Sequence, residues 1–210
     1  MAHGYLTPTC TSRNIEEVMD LRGKTLILAS NSPRRRELLA GMDVPFVVDA
    51  RTGFKETVPP QTPPASVPAL MAEGKSEGFH RPLREDEILL TADTVVICGD
   101  SLLGKPRSLE DGRRMLHLLS GREHQVISAV TLRDRSRLVT ASDTSNVWFK
   151  PLTDSEISYY LNNYDPCDKA GSYGIQEWIG YIGITRIEGS YFNIVGLPVH
   201  LLYSMLEDFV

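Results

Sequence analysis

The chain has 210 residues and carries 22 lysines and arginines against 27 aspartates and glutamates, which gives a formal net charge of −5. With 41% hydrophobic residues it can bury a sizeable core, which excludes an intrinsically disordered protein. Its apolar runs fall far short of the roughly 18 residues that span a bilayer. The acidic balance argues against a protein that binds duplex DNA by neutralising phosphates, so we expect neither a membrane nor a nucleic-acid partner.

The cysteines and histidines show no spacing typical of a disulfide framework or a zinc site. Cys10, Cys98 and Cys167 are far apart and form no Cys-x-x-Cys pair, and the five histidines include no His-x-x-x-His pair. The N-terminus lacks the basic and then apolar pattern of a secretory signal. We therefore expect a reducing, cytoplasmic location.

The chain divides into an N-terminal extension over residues 1–24 and a single domain over residues 25–210. Residues 14–21 would suit a short helix capped by Asn14, but a poorly ordered extension is the simpler interpretation. The first apolar run typical of a buried strand begins at Thr25.

The domain alternates between strand-like and helix-like patterns. Apolar runs predict strands over residues 25–29, 44–48, 88–98, 124–132 and 137–149. Capping residues and apolar spacing predict helices over residues 33–40, 69–79, 108–121, 153–162 and 199–206. Ser108 with Asp111 and Thr153 with Glu156 match the capping-box pattern. The last third is punctuated by glycines with short strands expected between them, and the whole order indicates an α/β protein with many antiparallel neighbours.

The first predicted helix opens with three arginines, Arg34, Arg35 and Arg36. Cations in a first turn face the positive end of the helix dipole, so the arrangement is easier to understand if an anion binds there. Backbone N–H groups, the Ser32 hydroxyl and an arginine would then converge on phosphate oxygens. The alternative is a solvated basic turn that pairs with Glu37 and other surface acids.

Asp93 stands in the middle of an apolar strand, in the sequence LLTADTVV. A buried carboxylate is costly unless it is paired or holds a metal, and functional sites tolerate that cost. Beside a triphosphate this acid would serve as a Mg²⁺ ligand or as a general base. The alternative is a structural acid that caps a loop or pairs with an arginine.

Two further segments place polar groups near turns. Lys105, in a Gly-Lys-Pro sequence shortly after the strand of Asp93, could point back toward the same cleft and bind a phosphate. Residues 168–176 read DKAGSYGIQ, in which two glycines flank an aromatic residue and Gln176 could bind the edge of a base. The alternatives are an ordinary turn for the first segment and a hairpin with exposed charges for the second.

Taken together, these segments resemble the Maf family of nucleoside triphosphate pyrophosphatases. The matching sequences follow the family order from about residue 25 to the C-terminus: SNSPRRRELL at 30–39, ADTVV at 92–96, GKP at 104–106, LSG at 119–121 with His124, DKAGSYGIQ at 168–176, and residues 189–198. The resemblance implies an α/β fold similar to that of the inosine triphosphate pyrophosphatases, a mixed twisted sheet with flanking helices in two lobes around a deep cleft. It also implies a homodimer that uses Mg²⁺ or Mn²⁺ to hydrolyse the bond between the α and β phosphates, giving a nucleoside monophosphate and pyrophosphate.

The same resemblance implies roles for individual residues. The acid matching Asp93 is the family's proton acceptor, and Glu56 and Lys105 would also take part in catalysis. Asp93 and Glu56 would ligate the metal ion. The residues implied to bind the phosphates or the rest of the substrate are Ser32, Arg34, Arg35, Lys75, Asp168 and Lys169.

Branches of this family differ at three positions, which here are Arg34, Thr94 and Gln176. This combination resembles the branch that acts on dTTP and UTP, whereas the branch that acts on 7-methyl-GTP carries Trp, Gln and Glu there. A small threonine beside Asp93 and an amide fit the mixed donor and acceptor edge of a pyrimidine. Two alternatives stay open: a nucleotide-binding regulator of cell division that needs no turnover, and an enzyme that acts on methylated guanine or modified pyrimidine nucleotides.

Overall fold

The structure, a computed structural model, describes residues 19–210. Most of the helix expected over residues 14–21 lies outside the described residues, and residues 19–21 are not helical. Met19 and Leu21 are buried instead and belong to an apolar cluster with Phe209 near the C-terminus. None of the helices formed by residues 19–210 is long and apolar enough to cross a membrane.

A single mixed sheet forms the centre of the fold, as the α/β prediction requires. Its strands are β1 (Thr25–Leu28), β2 (Phe46–Val48), β3 (Glu87–Cys98), β4 (Ser101–Leu103), β5 (Glu123–Arg133), β6 (Leu138–Phe149) and β7 (Ile184–Glu188). The order across the sheet is β2-β1-β3-β5-β6-β7, with β4 paired to the end of β3. β1 runs parallel to β2 and β3, and the other pairs are antiparallel.

Helices flank the sheet and begin largely where the capping residues predict. They are α1 (Pro33–Ala40), α2 (Val67–Glu77), α3 (Leu109–Leu119), α4 (Asp154–Asn163), α5 (Trp178–Gly183), α6 (Tyr191–Val195) and α7 (Val199–Phe209). Ser32 caps α1, and Thr153 forms the predicted capping box with Glu156. At α3 only half of the predicted box forms, because the Asp111 carboxylate accepts the N–H of Arg107.

The glycine-rich last third differs from the prediction. Only β7 is a strand there, and the rest consists of short helices and turns. The reason is close packing: a Cβ on Gly180 would lie 2.0 Å from the carbonyl oxygen of Ile175, and Gly189 and Gly196 have φ of +112° and +122°. These glycines serve tight turns and close backbone approaches. α2 also begins two residues earlier than predicted, because a proline is tolerated in the first helical turn.

Two large apolar clusters lie on the sheet. One joins β3, β5 and β6 to α3, α4 and α5, with Leu116 and Ile157 completely buried. The other joins β1, β3 and β5 to α1 and α7, with Leu39 and Leu202 completely buried. The sheet therefore supports a body of helices at each end, and β3 and β5 contribute to both clusters.

The edge of β3 that faces β1 contains a gap. β1 pairs with residues 87–90 and β4 pairs with residues 96–98, whereas β5 pairs with residues 89–97 along the opposite edge. Residues 91–95 therefore have no strand neighbour on the first edge. Asp93 and Thr94 lie in the middle of this gap, so the sheet topology itself opens the space beside them.

Candidate active site

A cavity of about 330 Å³ lies at this gap. Its walls come from β3, α2, the start of α1, the turn after β4, the chain between α4 and α5, and the end of α6. Every residue that the sequence predicted for the site contributes to the lining: Ser32, Arg34, Arg35, Glu56, Lys75, Asp93, Thr94, Lys105, Asp168, Lys169 and Gln176. The structure therefore brings all the predicted residues together around one space, while their chemical roles stay predictions.

On one wall a lysine lies between two carboxylates. Lys75 Nζ is 2.6 Å from Asp93 Oδ1 and 3.0 Å from Glu56 Oε1. The Asp93 side chain is 16% exposed and that of Glu56 is 63% exposed, so the buried carboxylate has the closer contact. Pairing with an ammonium group offsets the cost of a carboxylate within an apolar strand. The partner of Asp93 is thus a lysine of α2 and not an arginine.

The segment that carries Glu56 is anchored by an aromatic ring that the sequence analysis missed. Phe54 packs against the glycine-lined side of α2, where a Cβ on Gly74 would lie 2.3 Å from two ring carbons and one on Gly78 would lie 2.7 Å from the Phe54 Cβ. The N–H of Gly53 donates to the carbonyl of Gly78 at 2.8 Å. Two glycines four residues apart, one within α2 and one directly after it, were the available signal, since only their missing side chains admit the ring.

Arg35 replaces a strand partner at the gap in β3. Its Nη1 donates to the Ala92 carbonyl at 3.0 Å, its Nη2 to Thr94 Oγ1 at 3.2 Å and its Nε to the Gly196 carbonyl at 2.9 Å. The Leu90 carbonyl, two residues earlier on the same edge, accepts the backbone N–H of Ala29, which directly follows β1. Burial lowers the pKa of Arg35, but a guanidinium keeps its proton in proteins, so a positive charge stands at the floor of the cavity.

Arg34 reaches the opposite wall. Its Nη1 lies 2.6 Å from Asp168 Oδ2, and its Nη2 donates to the Asp168 carbonyl at 3.2 Å. Lys169 Nζ holds the other oxygen, Oδ1, at 2.7 Å. Burial raises the pKa of Asp168, but the hydrogen bonds from Lys169 and Arg34 outweigh it and hold that pKa below its usual value. Arg36 is exposed, donates to the Asn31 carbonyl and does not line the cavity.

Lys105 supplies a positive charge that the described residues do not neutralise. It is exposed, lies just after β4 and lines the cavity. Within residues 19–210 it forms no hydrogen bond or ion pair. An exposed ammonium group without a partner is free to bind an anion that enters the cavity.

The far end of the cavity is mainly apolar and contains one unmatched amide. Val126, Ile175 and Ile194 contribute apolar walls. The Gln176 Oε1 atom is buried, and none of the described residues donates a hydrogen bond to it. A buried acceptor without a donor is unfavourable, so a ligand with an N–H group would complete it. Thr94, which also lines the cavity, has its Oγ1 2.8 Å from Ser128 Oγ.

The sequence of the whole domain matches one family model. The model described as Maf-like protein matches residues 25–209. The chain belongs to the Maf family. A Porphyromonas gingivalis protein named dTTP/UTP pyrophosphatase is 48% identical over 192 residues, which cover 90% of this chain and 96% of that protein. A Parabacteroides distasonis protein of the same name is 45% identical over 190 residues, covering 90% and 98%. One from Phocaeicola vulgatus is 46% identical over 182 residues, covering 87% and 94%.

The donor atoms of this Maf site suit a metal ion only in part. Within residues 19–210 no group of three or more His, Cys, Asp and Glu side chains is close enough to hold an ion. Asp93 and Glu56 offer carboxylate oxygens that converge on Lys75. Mg²⁺ is commonly held by one or two carboxylates, with phosphate oxygens and water completing its shell. The two acids therefore fit an ion that is shared with a phosphorylated ligand.

A buried asparagine supports the Maf cavity without lining it. Asn193 Nδ2 donates to the Val126 carbonyl at 3.0 Å and to Ser145 Oγ at 2.9 Å, and its Oδ1 accepts the N–H of Ser128 at 3.2 Å. These bonds tie α6 to β5 and β6. They hold the chain that leads to the Gly196 carbonyl, which Arg35 contacts. An asparagine among apolar residues in Tyr191–Val195 was the available signal, but sequence reasoning did not single it out.

Proposed function

We propose that this Maf protein is a nucleoside triphosphate pyrophosphatase that hydrolyses dTTP and UTP to the nucleoside monophosphate and pyrophosphate. The observation that carries the proposal is a single cavity lined by Asp93, by Lys105 and by Gln176, where the Lys105 ammonium and the buried Gln176 amide oxygen have no partner among residues 19–210. The relatives named dTTP/UTP pyrophosphatase, at 45–48% identity over most of their length, support the same substrates.

The charged end of the cavity suits the triphosphate. Lys105 and Arg34 would bind phosphate oxygens, because both cations line the cavity near the start of α1. Arg34 uses two N–H groups on Asp168 and has three others available. Positive charge at this position would stabilise the pyrophosphate as it leaves.

Asp93 is the proposed proton acceptor for the attacking water. Its Oδ1 accepts from Lys75, so the ammonium group fixes the direction of the carboxylate, and Oδ2 is available for the water. Asp93 and Glu56 would hold a Mg²⁺ or Mn²⁺ ion, which, when bound, polarises a phosphoryl oxygen. The oxygen of water then bonds to a phosphorus of the α–β bridge as the bridging P–O bond breaks. Pyrophosphate leaves, and the proton of the water passes to the Asp93 carboxylate.

The apolar end of the cavity suits the base. Gln176 Oε1 would accept the N3–H group of thymine or uracil. Thr94 is small and is held by Ser128 and Arg35, so it leaves room beside Asp93. Apolar residues around them would pack on the faces of the ring.

The direct test measures released pyrophosphate with Mg²⁺ across dTTP, UTP, CTP, GTP and 7-methyl-GTP. We expect dTTP and UTP to give the highest kcat/KM, and 7-methyl-GTP to give a much lower value. Removal of divalent ions with a chelator should stop the reaction, and Mg²⁺ or Mn²⁺ should restore it. A protein that turns over neither dTTP nor UTP would contradict the proposal.

Two further properties are proposed with the activity. The exposed aromatic side chains Tyr181, Tyr191 and Phe192 support a homodimer, because apolar surface of this kind favours association. The free thiols of Cys98 and Cys167 support a reducing, cytoplasmic location. Light scattering of the purified protein would test the first, and fractionation of cells that express it would test the second.

A further inference from the structure

A carboxylate just outside the cavity connects two of its functional groups. Glu177 directly follows Gln176 and occupies the position before the first turn of α5, but its side chain does not line the cavity. Its Oε1 lies 3.0 Å from Lys169 Nζ, and its side chain is 20% exposed. The hydroxyl of Tyr160 donates a hydrogen bond to its Oε2.

On one side, Glu177 connects through Lys169 to the charged end of the cavity, where the phosphates are proposed to bind. The Lys169 side chain is only 9% exposed, and its Nζ contacts Asp168 Oδ1 at 2.7 Å as well as Glu177. Asp168 in turn holds Arg34. The cluster thus contains two cations and two carboxylates. Without the charge of Glu177, Asp168 would be the one carboxylate left to pair with Lys169 as well as with Arg34, so the ammonium would draw Asp168 away from Arg34.

On the other side, Glu177 connects through Tyr160 to the apolar end of the cavity, where the base is proposed to bind. Tyr160 is completely buried on α4, and its hydroxyl oxygen accepts the N–H of Gly174 at 3.1 Å. Burial and the bond to Glu177 raise the pKa of Tyr160, so its phenol is protonated and donates. Gly174 lies two residues before Gln176, and a Cβ on it would lie 2.8 Å from the Glu177 carboxyl carbon. The Glu177 and Tyr160 side chains therefore fix the backbone at Gly174, two residues before Gln176.

We propose that Glu177 is a positioning residue, supported by Tyr160, that sets the direction of Arg34 through Lys169 and Asp168 and the direction of the Gln176 amide through the Gly174 backbone. The inference rests on the proposed pyrophosphatase activity. Glu177 touches neither substrate nor reacting atoms, so its effect should fall on substrate binding and base preference and only weakly on the chemical step.

The test compares Glu177→Gln, which keeps the shape and removes the charge, with Tyr160→Phe, which removes one hydroxyl. For Glu177→Gln we expect the KM for dTTP and UTP to rise about tenfold, with kcat changed by less than about threefold. For Tyr160→Phe we expect the ratio of kcat/KM for UTP over CTP to fall about fivefold or more, because the amide of Gln176 loses its fixed direction.

Glu156→Gln is the matched control. Glu156 is also a half-buried carboxylate paired with a lysine, Lys150, at 2.6 Å, and it lies on α4 away from the cavity. Its loss should lower the melting temperature but leave KM and the base ratio unchanged. If Glu177→Gln behaves like this control, Glu177 is merely structural and the inference is overturned.

Two further measurements keep the outcomes distinct. If Glu177→Gln does not fold, Tyr160→Phe decides, and an unchanged base ratio there overturns the inference. In the Lys169→Met background, adding Glu177→Gln should raise the KM by clearly less than tenfold, because Glu177 acts on the phosphate end through that lysine; a full tenfold rise there would contradict that route. A wild-type protein that turns over neither dTTP nor UTP would overturn the proposed function first, and this inference with it.

Discussion

The two walls of the cavity are built in different ways. Asp93 and Lys75 belong to β3 and α2, and neighbouring contacts such as the Thr91 hydroxyl on the Ala72 carbonyl, 2.7 Å, lock the strand to the helix. Asp168 and Gln176 belong to irregular chain between α4 and α5. That chain is held by side chains such as Lys169, and by backbone contacts such as the N–H of Gly171 on the Gly104 carbonyl.

This difference in construction matches two different requirements of the proposed reaction. A group that activates water must be placed accurately, and regular secondary structure holds a side chain more firmly than a loop does. Groups that recognise a base or a phosphate can lie on a loop, where a few substitutions change what is bound. We therefore expect substitutions on the strand and helix wall to reduce kcat, and substitutions on the loop wall to change KM and substrate preference.

The largest effect should come from Asp93→Asn. The amide cannot accept the proton of the attacking water, so we expect kcat for dTTP to fall about a hundred- to ten-thousand-fold. Pyrophosphate release measures the change, and a nearly unchanged KM would place the loss in the chemical step. Asp143→Asn, another strand aspartate that does not line this cavity, is the control and should keep full activity. Equal losses in the two variants would remove Asp93 from catalysis.

A buried histidine that contacts Tyr173, a residue of the loop wall, should make the stability of the protein depend on pH. His124 Nε2 lies 2.7 Å from the Tyr173 hydroxyl, and burial lowers the pKa of His124 to about 4. The unfolded chain takes up this proton near pH 6.5, so stability is complete above that pH and is lost as the pH falls toward 4. The total loss is roughly 3 kcal/mol, from about 1.4 kcal/mol per pH unit.

Denaturant unfolding of wild type and of His124→Gln between pH 7 and pH 4 measures this difference. The variant should lose less stability than wild type over that range, because it has no imidazole to protonate. His117→Gln, at an exposed position on α3, should keep the wild-type pH dependence. Parallel curves for wild type and His124→Gln would show that this histidine does not anchor the loop wall.

The packing of Phe54 against α2 can be disrupted by substituting either the glycine on the helix or the phenylalanine itself. Gly74→Ala would place a methyl group 2.3 Å from the Phe54 ring, so we expect a loss of about 1–3 kcal/mol in the free energy of unfolding together with a lower kcat as Glu56 moves. Adding Phe54→Ala should restore part of the stability, because the clash disappears. Gly41→Ala is the control, since its Cβ would make only ordinary contacts at 3.5 Å. A stable Gly74→Ala protein would contradict the close packing.

The smallest effect should come from Lys105→Ala. The exposed ammonium group has no partner among the described residues, so its removal should leave the melting temperature unchanged and raise the KM for dTTP about tenfold. Arg36→Ala removes an exposed charge from the first turn of α1 outside the cavity and should leave KM unchanged. Similar KM values for the two variants would place Lys105 away from the phosphates.

Much of the strand and helix wall could be predicted from the sequence. Ser32 and Pro33 begin α1, and the apolar run around Asp93 is β3, because capping and apolar patterning are local signals. Most of residues 168–176 line the cavity, but the short helical turn at Ala170–Ser172 was not predicted. Their shape depends on contacts such as Tyr160 with Gly174, which are specific to the folded chain.

The partners of the predicted residues could not be read from the sequence either. Lys75 and Arg35 were expected to face the substrate, yet in the structure Lys75 contacts Asp93, and Arg35 contacts the Ala92 and Gly196 carbonyls. Pairing across distant elements is set by the sheet topology, which a linear pattern does not contain. The prediction of several strands in the last third was wrong for the same reason. In the sequence, a glycine that allows a neighbouring carbonyl to approach closely cannot be told from a glycine that ends a strand.

The interrupted edge of β3 has a consequence for how this site can vary. At about 3.3 Å per residue, residues 91–95 leave roughly 16 Å of strand edge without a neighbouring strand. This space exists because β1 pairs with β3 only up to residue 90 and β4 pairs with it only from residue 96, and it does not depend on small side chains. Exchanging the side chains around it can therefore alter which molecule is accommodated while the surrounding framework, and the room itself, persist.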